Sequence, residues 1–190
     1  MDYHKCINRI RTARCKKIIV TGPQRSGTTI AAHMLAHDLG YKYIDEADFK
    51  INEFDKFKKL LNKHKSAGAV VQCPALSHKC HLLNEYNDLM VVFMLRDTDD
   101  IIASESRIKW VEKLDKGAEA KKYVEDNNLE QFVKIGIPIS IIKYRAWNIY
   151  QKQRVKNFCE LEYESLQDHD MWIDKPDRKE FKSRQWEANK

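Results

Sequence analysis

The chain lacks the patterns that would place it in a membrane, in an oxidising compartment or among linker-rich proteins. Its 190 residues include only 4 prolines and 6 glycines, and no repeat or low-complexity tract interrupts them. No apolar stretch approaches the ~20 residues that a helix needs to cross a bilayer. The first 17 residues lack the apolar core of a signal peptide, and the 5 cysteines form no CxxC pair. We therefore expect reduced thiols and a cytoplasmic protein.

The composition is that of one globular domain, so we expect residues 1–190 to form a single unit. Hydrophobic residues make up 43% of the chain and charged residues 33%, with a net charge of +6. Residues 1–17 alone carry six Lys and Arg against one Asp, and we interpret residues 1–16 as a basic, solvated helix or tail. An arm that binds nucleic acid or another anionic surface is the alternative. Tyr3 is the only aromatic residue there that could stack on a base, which argues against nucleic acid.

Short apolar runs alternate along the chain with stretches of helical period. This alternation predicts βαβ units, and hence an α/β fold of three layers with a mostly parallel central sheet and helices on both faces. Ligands of such sheets bind at the carboxyl ends of the strands. The predicted strands are Lys17–Thr21, Lys42–Ile44, Ala69–Gln72, Met90–Leu95 and Asn157–Glu162. The predicted helices are Thr28–Leu39, Asp48–His64, Leu76–Tyr86, Asp99–Trp110, Ile139–Val155 and a stretch around Trp110–Glu125, before a polar segment at 167–190 that Trp172 and Trp186 predict to dock.

The first candidate site is a glycine loop that follows the strand Lys17–Thr21. The loop reads Gly-Pro-Gln-Arg-Ser-Gly-Thr-Thr from Gly22 to Thr29, and its glycines have the spacing of the phosphate-binding P-loop GxxxxGK[ST]. Thr28 stands where nucleotide triphosphatases have the lysine that bridges the β- and γ-phosphates. Backbone N–H groups and a helix N-terminus can still hold a phosphate, with Arg25 as the nearby cation. We predict a P-loop NTPase-like fold that binds a nucleotide whose reactive end is not an ordinary γ-phosphate.

The second candidate site begins where the apolar run from Val91 ends. Arg96 ends that run, Asp97 and Asp100 have the spacing of a helix N-cap and its partner, and Ser104 follows about two turns into the helix. A guanidinium and a hydroxyl in these positions could hold one phosphate from two sides. One alternative is a surface salt bridge from Arg96 to a neighbouring Asp97 or Asp99, with Ser104 exposed. Another is Asp97 as a magnesium ligand, against which the adjacent arginine argues.

A third cluster raises the question of a metal. Cys73, His78, Cys80 and His81 lie within nine residues of one another. Their spacing matches no common zinc pattern, and a helix would not direct all four side chains toward one point. We interpret them as packing and surface residues and expect no metal.

The two anion-binding motifs together resemble those of the sulfotransferase family that uses 3′-phosphoadenosine 5′-phosphosulfate (PAPS). That family has a 5′-phosphosulfate loop PxSGTT, with Lys or Arg at x, and a 3′-phosphate motif of an arginine and a serine eight residues apart. The chain has Arg25 through Thr29 in the loop, with Gln24 in place of the family proline, and Arg96 with Ser104. Family members also have a strand that ends in a Tyr-Glu-Asp-Leu-like turn after a helix bearing a tryptophan. Trp147 and the turn from Tyr163 to Leu166 are similar, so the resemblance covers residues 17 to about 168.

The resemblance implies PAPS as donor, its 3′,5′-bisphosphate PAP as product, and no required metal. In the family the tyrosine of the turn lies beside the adenine, and the loop holds the 5′-phosphosulfate. The 3′ phosphate of this donor would account for a second arginine and serine motif. The donor-binding residues that the resemblance implies are Gly22, Gln24, Arg25, Ser26, Gly27, Thr28, Thr29, Arg96, Ser104 and Tyr163.

Several family features are absent or replaced. Ile30 stands where cytosolic members have a tryptophan, and no lysine precedes the histidine candidate His78. The arginine in the loop resembles the tyrosylprotein and bacterial branches, and Glu46 lies in the region that supplies the base of the tyrosylprotein branch. Glu46 is therefore the first candidate for the general base and His78 the second. The C-terminal Arg-Lys-Gly motif is not recognisable, although Arg178, Lys179, Lys182 or Arg184 could substitute.

These observations favour in-line transfer of a sulfuryl group from PAPS to a hydroxyl or amine of a small molecule, a glycan or a peptide. Arg25, the predicted catalytic cation, would stabilise charge on the leaving phosphate oxygen. One alternative is a P-loop kinase that acts on a small molecule or nucleoside with ATP and Mg²⁺. A second is a nucleotide-binding module without catalysis. The sequence carries no signature of the acceptor or of the oligomeric state.

Overall fold

The apolar runs of the sequence become the strands of a single sheet. A computed structural model describes residues 1–49, 54–64, 66–107 and 139–173. The strands are β1 Lys17–Thr21, β2 Lys42–Ile44, β3 Ala69–Gln72, β4 Leu89–Leu95 and β5 Phe158–Glu162. The helices are α1 Tyr3–Thr12, α2 Thr28–Leu39, α3 Phe54–Lys63, α4 Thr98–Arg107, α5 Ile139–Ala146 and α6 Asp170–Ile173. Short turns of 3₁₀ helix cover Glu46–Asp48, Pro74–His78, Cys80–Leu83 and Glu164–Leu166, and a π-helical turn, Trp147–Gln151, continues α5.

All strand pairs in the sheet are parallel, in the order β2-β3-β1-β4-β5. Every residue of β1 and β3 is buried, which is typical of parallel strands with helices on both faces. Successive side chains of a strand point to opposite faces, so Ile18 and Ile19 enter different cores. The predicted α/β fold with a parallel central sheet is confirmed.

Two apolar cores, one on each face, make the three layers. On the first face α1 and α2 pack against the sheet, and on the second face α3, α4 and α5 do so. The first core contains Cys6 and Ile10 of α1, Met34 and Leu35 of α2, and the strand residues Ile18, Val20, Val70, Val92 and Leu161. The second contains Phe57, Leu61, Ile101, Tyr144 and Trp147 from the helical side, and Ile19, Val71, Val91 and Phe93 from the strands.

The basic N-terminal stretch differs from the expected solvated arm. Residues Tyr3–Thr12 form α1, which buries four apolar side chains against the first face of the sheet. The N-terminal ammonium of Met1 donates a hydrogen bond of 2.7 Å to the Glu160 carbonyl in β5. The charge of residues 1–17 obscured the helical spacing of the apolar positions, which are Tyr3, Cys6, Ile7 and Ile10.

Several predicted helices are differently built. In the predicted helix Ile139–Val155, α5 ends at Ala146 and a π-helical turn continues to Gln151. The predicted helix Leu76–Tyr86 is two 3₁₀ turns, because the Leu76 carbonyl accepts from the Lys79 N–H at 2.8 Å and from the Cys80 thiol at 3.0 Å. At the predicted start of the helix Asp48–His64, residues Glu46–Asp48 form a 3₁₀ turn, and the described helix α3 is Phe54–Lys63. The predicted helix around 110–125 lies outside the described residues. In the part of the chain that the structure describes, no helix has both the length and the apolar character needed to cross a bilayer.

The strand order places a crevice at the carboxyl ends of β1 and β4. After β1 the chain enters α2 on the first face, and after β4 it enters α4 on the second face. Neighbouring strands whose following helices lie on opposite faces form the topological switch point at which ligands of open α/β sheets bind. The loop Gly22–Gly27 and Arg96 both lie there.

Candidate functional site

The loop after β1 has a backbone that requires its two glycines. Gly22 has φ +142° and Gly27 has φ +92°, values that other residues rarely adopt. Arg25 also has a positive φ, +67°, although it carries a side chain. Ser26 is fully buried, and its Oγ donates to the Pro23 carbonyl at 2.7 Å. The hydroxyl of Ser26 therefore closes the turn of the loop.

The loop leads directly into the N-terminus of α2. Gly27 is the N-cap residue, and no side chain caps the first turn. The first N–H groups of a helix have no partner within the helix, so a turn without a side-chain cap is suited to an anion. Thr28 is buried, and its Oγ1 accepts from Nε2 of Gln72 at 3.2 Å. Thr29 is exposed to solvent.

Arg25, Arg96 and Ser104 lie in direct contact. Arg25 Nε donates to Ser104 Oγ at 2.9 Å, and Arg96 Nη1 donates to the Arg25 carbonyl at 2.9 Å. The side chain of Ser104 is buried, with 3% exposure, so the alternative of an exposed helix residue is wrong. The structure thus brings together the two candidate sites that the sequence located separately.

Tyr163 joins the same cluster from the turn after β5. The Arg96 guanidinium carbon lies 4.2 Å from the centre of the Tyr163 ring. The ring also packs against Gly27, where a Cβ would lie 2.4 Å from Tyr163 Cδ2. Trp172 meets the ring edge-on at 5.4 Å between ring centres, as its predicted docking requires. Arg96 Nε is buried and has no hydrogen-bond partner within the described part of the chain.

Asp97 is the N-cap of α4, as its sequence position predicts. Its Oδ1 accepts from the N–H groups of Asp99 at 2.9 Å and Asp100 at 3.2 Å. The Asp100 carboxylate lies 3.5 Å from Arg96 Nη2, a loose ion pair at an exposed position. Arg96 therefore pairs with Asp100, and not with Asp97 or Asp99 as the surface salt-bridge alternative held.

Helix α5 touches both halves of the site through consecutive residues that sequence reasoning missed. Lys143 Nζ donates to Gln24 Oε1 in the loop at 2.5 Å. The Tyr144 hydroxyl accepts from the Arg96 N–H at 2.7 Å and donates to the Arg96 carbonyl at 3.1 Å. The sequence signal that could have identified this contact is a single lysine between the apolar residues Ile142 and Tyr144.

The two candidate bases lie near the carboxyl end of β3. Glu46 Oε1 accepts from the Cys73 thiol and from the Ala75 N–H, each at 3.3 Å. The Glu46 N–H lies 3.5 Å from Oε1 of Gln72, the residue whose amide also contacts Thr28. Glu46 is thereby linked to the first turn of α2 through one side chain. Burial and the nearby Glu46 carboxylate raise the pKa of the Cys73 thiol.

His78 lies farther along the same segment. Its backbone carbonyl accepts from Gln151 Nε2 at 2.6 Å, which ties the segment after β3 to the π-helical turn. The candidate metal ligands nearby are engaged in packing: Cys73 and Cys80 are buried, and His81 Nδ1 lies 3.0 Å from Gln151 Oε1. Across residues 1–49, 54–64, 66–107 and 139–173, no group of three or more His, Cys, Asp or Glu could hold a metal ion.

A buried histidine lies next to the β2 strand. His33 of α2 stacks on Tyr43, with 3.6 Å between ring centres, and burial lowers its pKa to about 4. The Tyr43 hydroxyl donates to Asp45 at 2.6 Å. His33 is therefore neutral at physiological pH and contributes no positive charge to the site.

The substitutes considered for the C-terminal phosphate motif, Arg178, Lys179, Lys182 and Arg184, lie outside the described residues, as does Trp186. No protein-family profile matches the chain, and no curated protein sequence matches it either.

Proposed function

We propose that the protein is a sulfotransferase that uses PAPS. The observation that carries the proposal is the contact between the two anion-binding motifs, through Arg25 Nε with Ser104 Oγ and Arg96 Nη1 with the Arg25 carbonyl. An adenosine with anions at its 5′ and 3′ positions needs two such motifs within the length of one nucleotide. A nucleoside triphosphate would need only the first of them.

The residues present fit such a donor. The glycine loop and the uncapped first turn of α2 offer backbone N–H groups to one anion. Among the described residues, the buried Arg96 Nε has no hydrogen-bond partner, and the buried Ser104 hydroxyl provides a second polar group for another anion. The Tyr163 ring lies against both Arg96 and Gly27, and the tyrosine at this position in the family lies beside the adenine.

The roles of the chain's own residues follow from these positions. PAPS would supply the sulfuryl group, which passes to an acceptor oxygen or nitrogen as its bond to the 5′-phosphate oxygen breaks. Gly22 through Thr29 would hold the 5′ end, and Arg25 would stabilise the negative charge that develops on the leaving oxygen. Arg96 and Ser104 would fix the 3′ end and so orient the donor.

Glu46 would take the proton of the acceptor. Its Oε1 is held by the Cys73 thiol and the Ala75 N–H, which fixes the direction of the carboxylate. Hydrogen bonds through Gln72 connect Glu46 to Thr28, the first residue of α2 after the glycine loop. His78, the second candidate, lies at the end of the 3₁₀ turn Pro74–His78.

One observation weighs against the kinase alternative. Asp97, the residue after Arg96 at the end of β4, is the candidate magnesium ligand, and its Oδ1 accepts from two N–H groups of α4. Arg96 beside it would repel a cation.

Ligand-induced stabilisation would test the proposal and separate it from its alternatives. Saturating PAP should raise the melting temperature more than ATP with Mg²⁺ or a short oligonucleotide does, because only a ligand that binds the folded state stabilises it. At 100 times its dissociation constant, a ligand adds about 2.7 kcal/mol to the free energy of unfolding. Transfer of the ³⁵S-labelled sulfuryl group from PAPS to an acceptor library would then measure catalysis.

A larger shift with ATP and Mg²⁺ than with PAP would favour the kinase. A PAP shift without label transfer to any acceptor in the library would favour the non-catalytic nucleotide-binding module. Stabilisation by the oligonucleotide alone would favour the alternative in which the basic residues of α1 bind nucleic acid.

A further inference from the structure

Helix α5 adds a positive charge to a loop in which Thr28 stands where nucleotide triphosphatases have a lysine. Lys143 lies far from the loop in sequence, yet Nζ donates to Oε1 of Gln24 at 2.5 Å. The Lys143 side chain is buried, with 6% exposure. A buried ammonium is stable only where hydrogen bonds and negative charge compensate for its lost hydration, and the bond to Gln24 places this ammonium against the glycine loop.

The position of Lys143 is fixed by the packing of α5. The next residue, Tyr144, exchanges hydrogen bonds with both backbone groups of Arg96. One turn later, Trp147 stacks on Phe93 of β4, with 4.1 Å between ring centres and an interplanar angle of 7°. These contacts leave Lys143 little freedom to move away from the loop.

Three cationic side chains lie in or against the loop Gly22–Gly27. Arg25 belongs to it, Arg96 holds its backbone, and Lys143 holds the side chain of Gln24. Gln24 directly precedes Arg25, in the middle of the loop Gly22–Gly27. Positive charge is thus concentrated on the loop from three elements, which is the arrangement expected around a ligand with several negative charges.

We infer that Lys143 binds the sulfuryl end of the donor, beside the loop cation Arg25. In this role the Lys143 ammonium exchanges or shares its bond to Gln24 Oε1 with an oxygen of the sulfuryl group. An ammonium is a compact charge with three donors on a flexible stem, so it can contact Gln24 and a ligand oxygen together. The inference rests on the proposed function, because it requires a donor with an anionic group beyond the 5′ phosphate.

The test compares ligands that differ only at that group. PAPS and PAP share the adenosine, the 3′ phosphate and the 5′ phosphate, and PAPS alone carries the sulfuryl group. Dissociation constants of both would be measured by calorimetry for the natural protein, Lys143→Gln and the control Arg145→Gln. Arg145 is an exposed cation two residues along the same helix, so its variant makes an equal change in net charge.

Lys143→Gln should weaken PAPS binding about tenfold or more and PAP binding less than about threefold, because a hydrogen bond to a charged group is lost only with PAPS. Arg145→Gln should leave both constants unchanged. Equal weakening of the two ligands would show that Lys143 merely supports the loop, and no weakening would show that it does not contact the donor. Either result overturns the inference and leaves the proposed function intact.

Failure of the natural protein to bind either ligand would instead overturn the proposed function, and this inference with it. If Lys143→Gln does not fold, Gln24→Glu provides the second variant, since a carboxylate there would hold the ammonium in an ion pair. It should lower PAPS affinity more than PAP affinity. Equal effects on the two ligands would again contradict the inference.

Discussion

Replacement of Arg25 by alanine should lower kcat for sulfuryl transfer about 10²–10³-fold, because one preorganised donor to a developing negative charge is typically worth that much. Arg25 lies in the loop that would hold the 5′ end of the donor, and its Nε is already directed by Ser104 Oγ at 2.9 Å. The affinity for PAP should change much less, because the loop N–H groups and Arg96 remain. Steady-state kinetics with PAPS and calorimetry with PAP would measure the two effects separately.

The positive φ of Arg25 calls for a control. At φ +67° alanine carries the same backbone strain of roughly 1–2 kcal/mol as the natural arginine, whereas glycine adopts this conformation freely. Arg25→Gly should therefore lose as much turnover as Arg25→Ala, at a higher melting temperature. Turnover in Arg25→Gly close to that of the natural protein would refute the role of the guanidinium.

Gly27→Ala should destabilise the fold by about 1–3 kcal/mol, the usual cost of a strained backbone conformation. The added Cβ would lie 2.4 Å from Tyr163 Cδ2, and Gly27 has φ +92°. The Tyr163 ring must move away, which removes its contact with the Arg96 guanidinium carbon, now 4.2 Å from the ring centre. Turnover should fall about 100-fold, because displacement of positioning groups by about 1 Å has effects of that size. Urea denaturation and steady-state kinetics would measure the two losses.

Gly40→Ala separates backbone strain from the ring contact. Gly40 has φ +64°, but no atom of the described residues lies within 4 Å of its Cβ position. Its variant should lose stability and keep turnover. The double variant Gly27→Ala with Tyr163→Ala should be less destabilised than the sum of the two single changes, since the collision is gone. Strict additivity would show that the ring does not constrain the loop.

The fold could be predicted from the sequence because its central strands, β1, β3 and β4, are buried on both faces. Such strands are continuous apolar runs, and β1 and β3 lie where the runs Lys17–Thr21 and Ala69–Gln72 were predicted. Helix α2 also has its predicted bounds, since glycines in left-handed conformations mark both of its ends. The N-cap of α4 at Asp97 followed from the same kind of local signal.

The contacts within the site, the placement of α1 and the segment after β3 could not be predicted, because they depend on interactions that no local sequence pattern encodes. The hydrogen bond from Arg25 to Ser104 joins residues 79 apart, and that from Lys143 to Gln24 joins residues 119 apart. The placement of α1 against the sheet depends on four apolar residues in a stretch dominated by charge. In the segment after β3, 3₁₀ turns replace a predicted helix because the Cys80 thiol bonds the Leu76 carbonyl.

The most direct test of the account compares PAP with 5′-AMP as ligands of the natural protein and of Arg96→Ala. Arg96 also donates to the Arg25 carbonyl, so its replacement can disturb the loop and lower the affinity for both ligands. The ratio of the two affinities is therefore the decisive quantity. The natural protein should prefer PAP by about 10–100-fold, the value of a hydrogen-bonded charge, and Arg96→Ala should lose that preference. Equal losses for PAP and 5′-AMP, or no preference in the natural protein, would contradict the claim that one nucleotide spans both motifs.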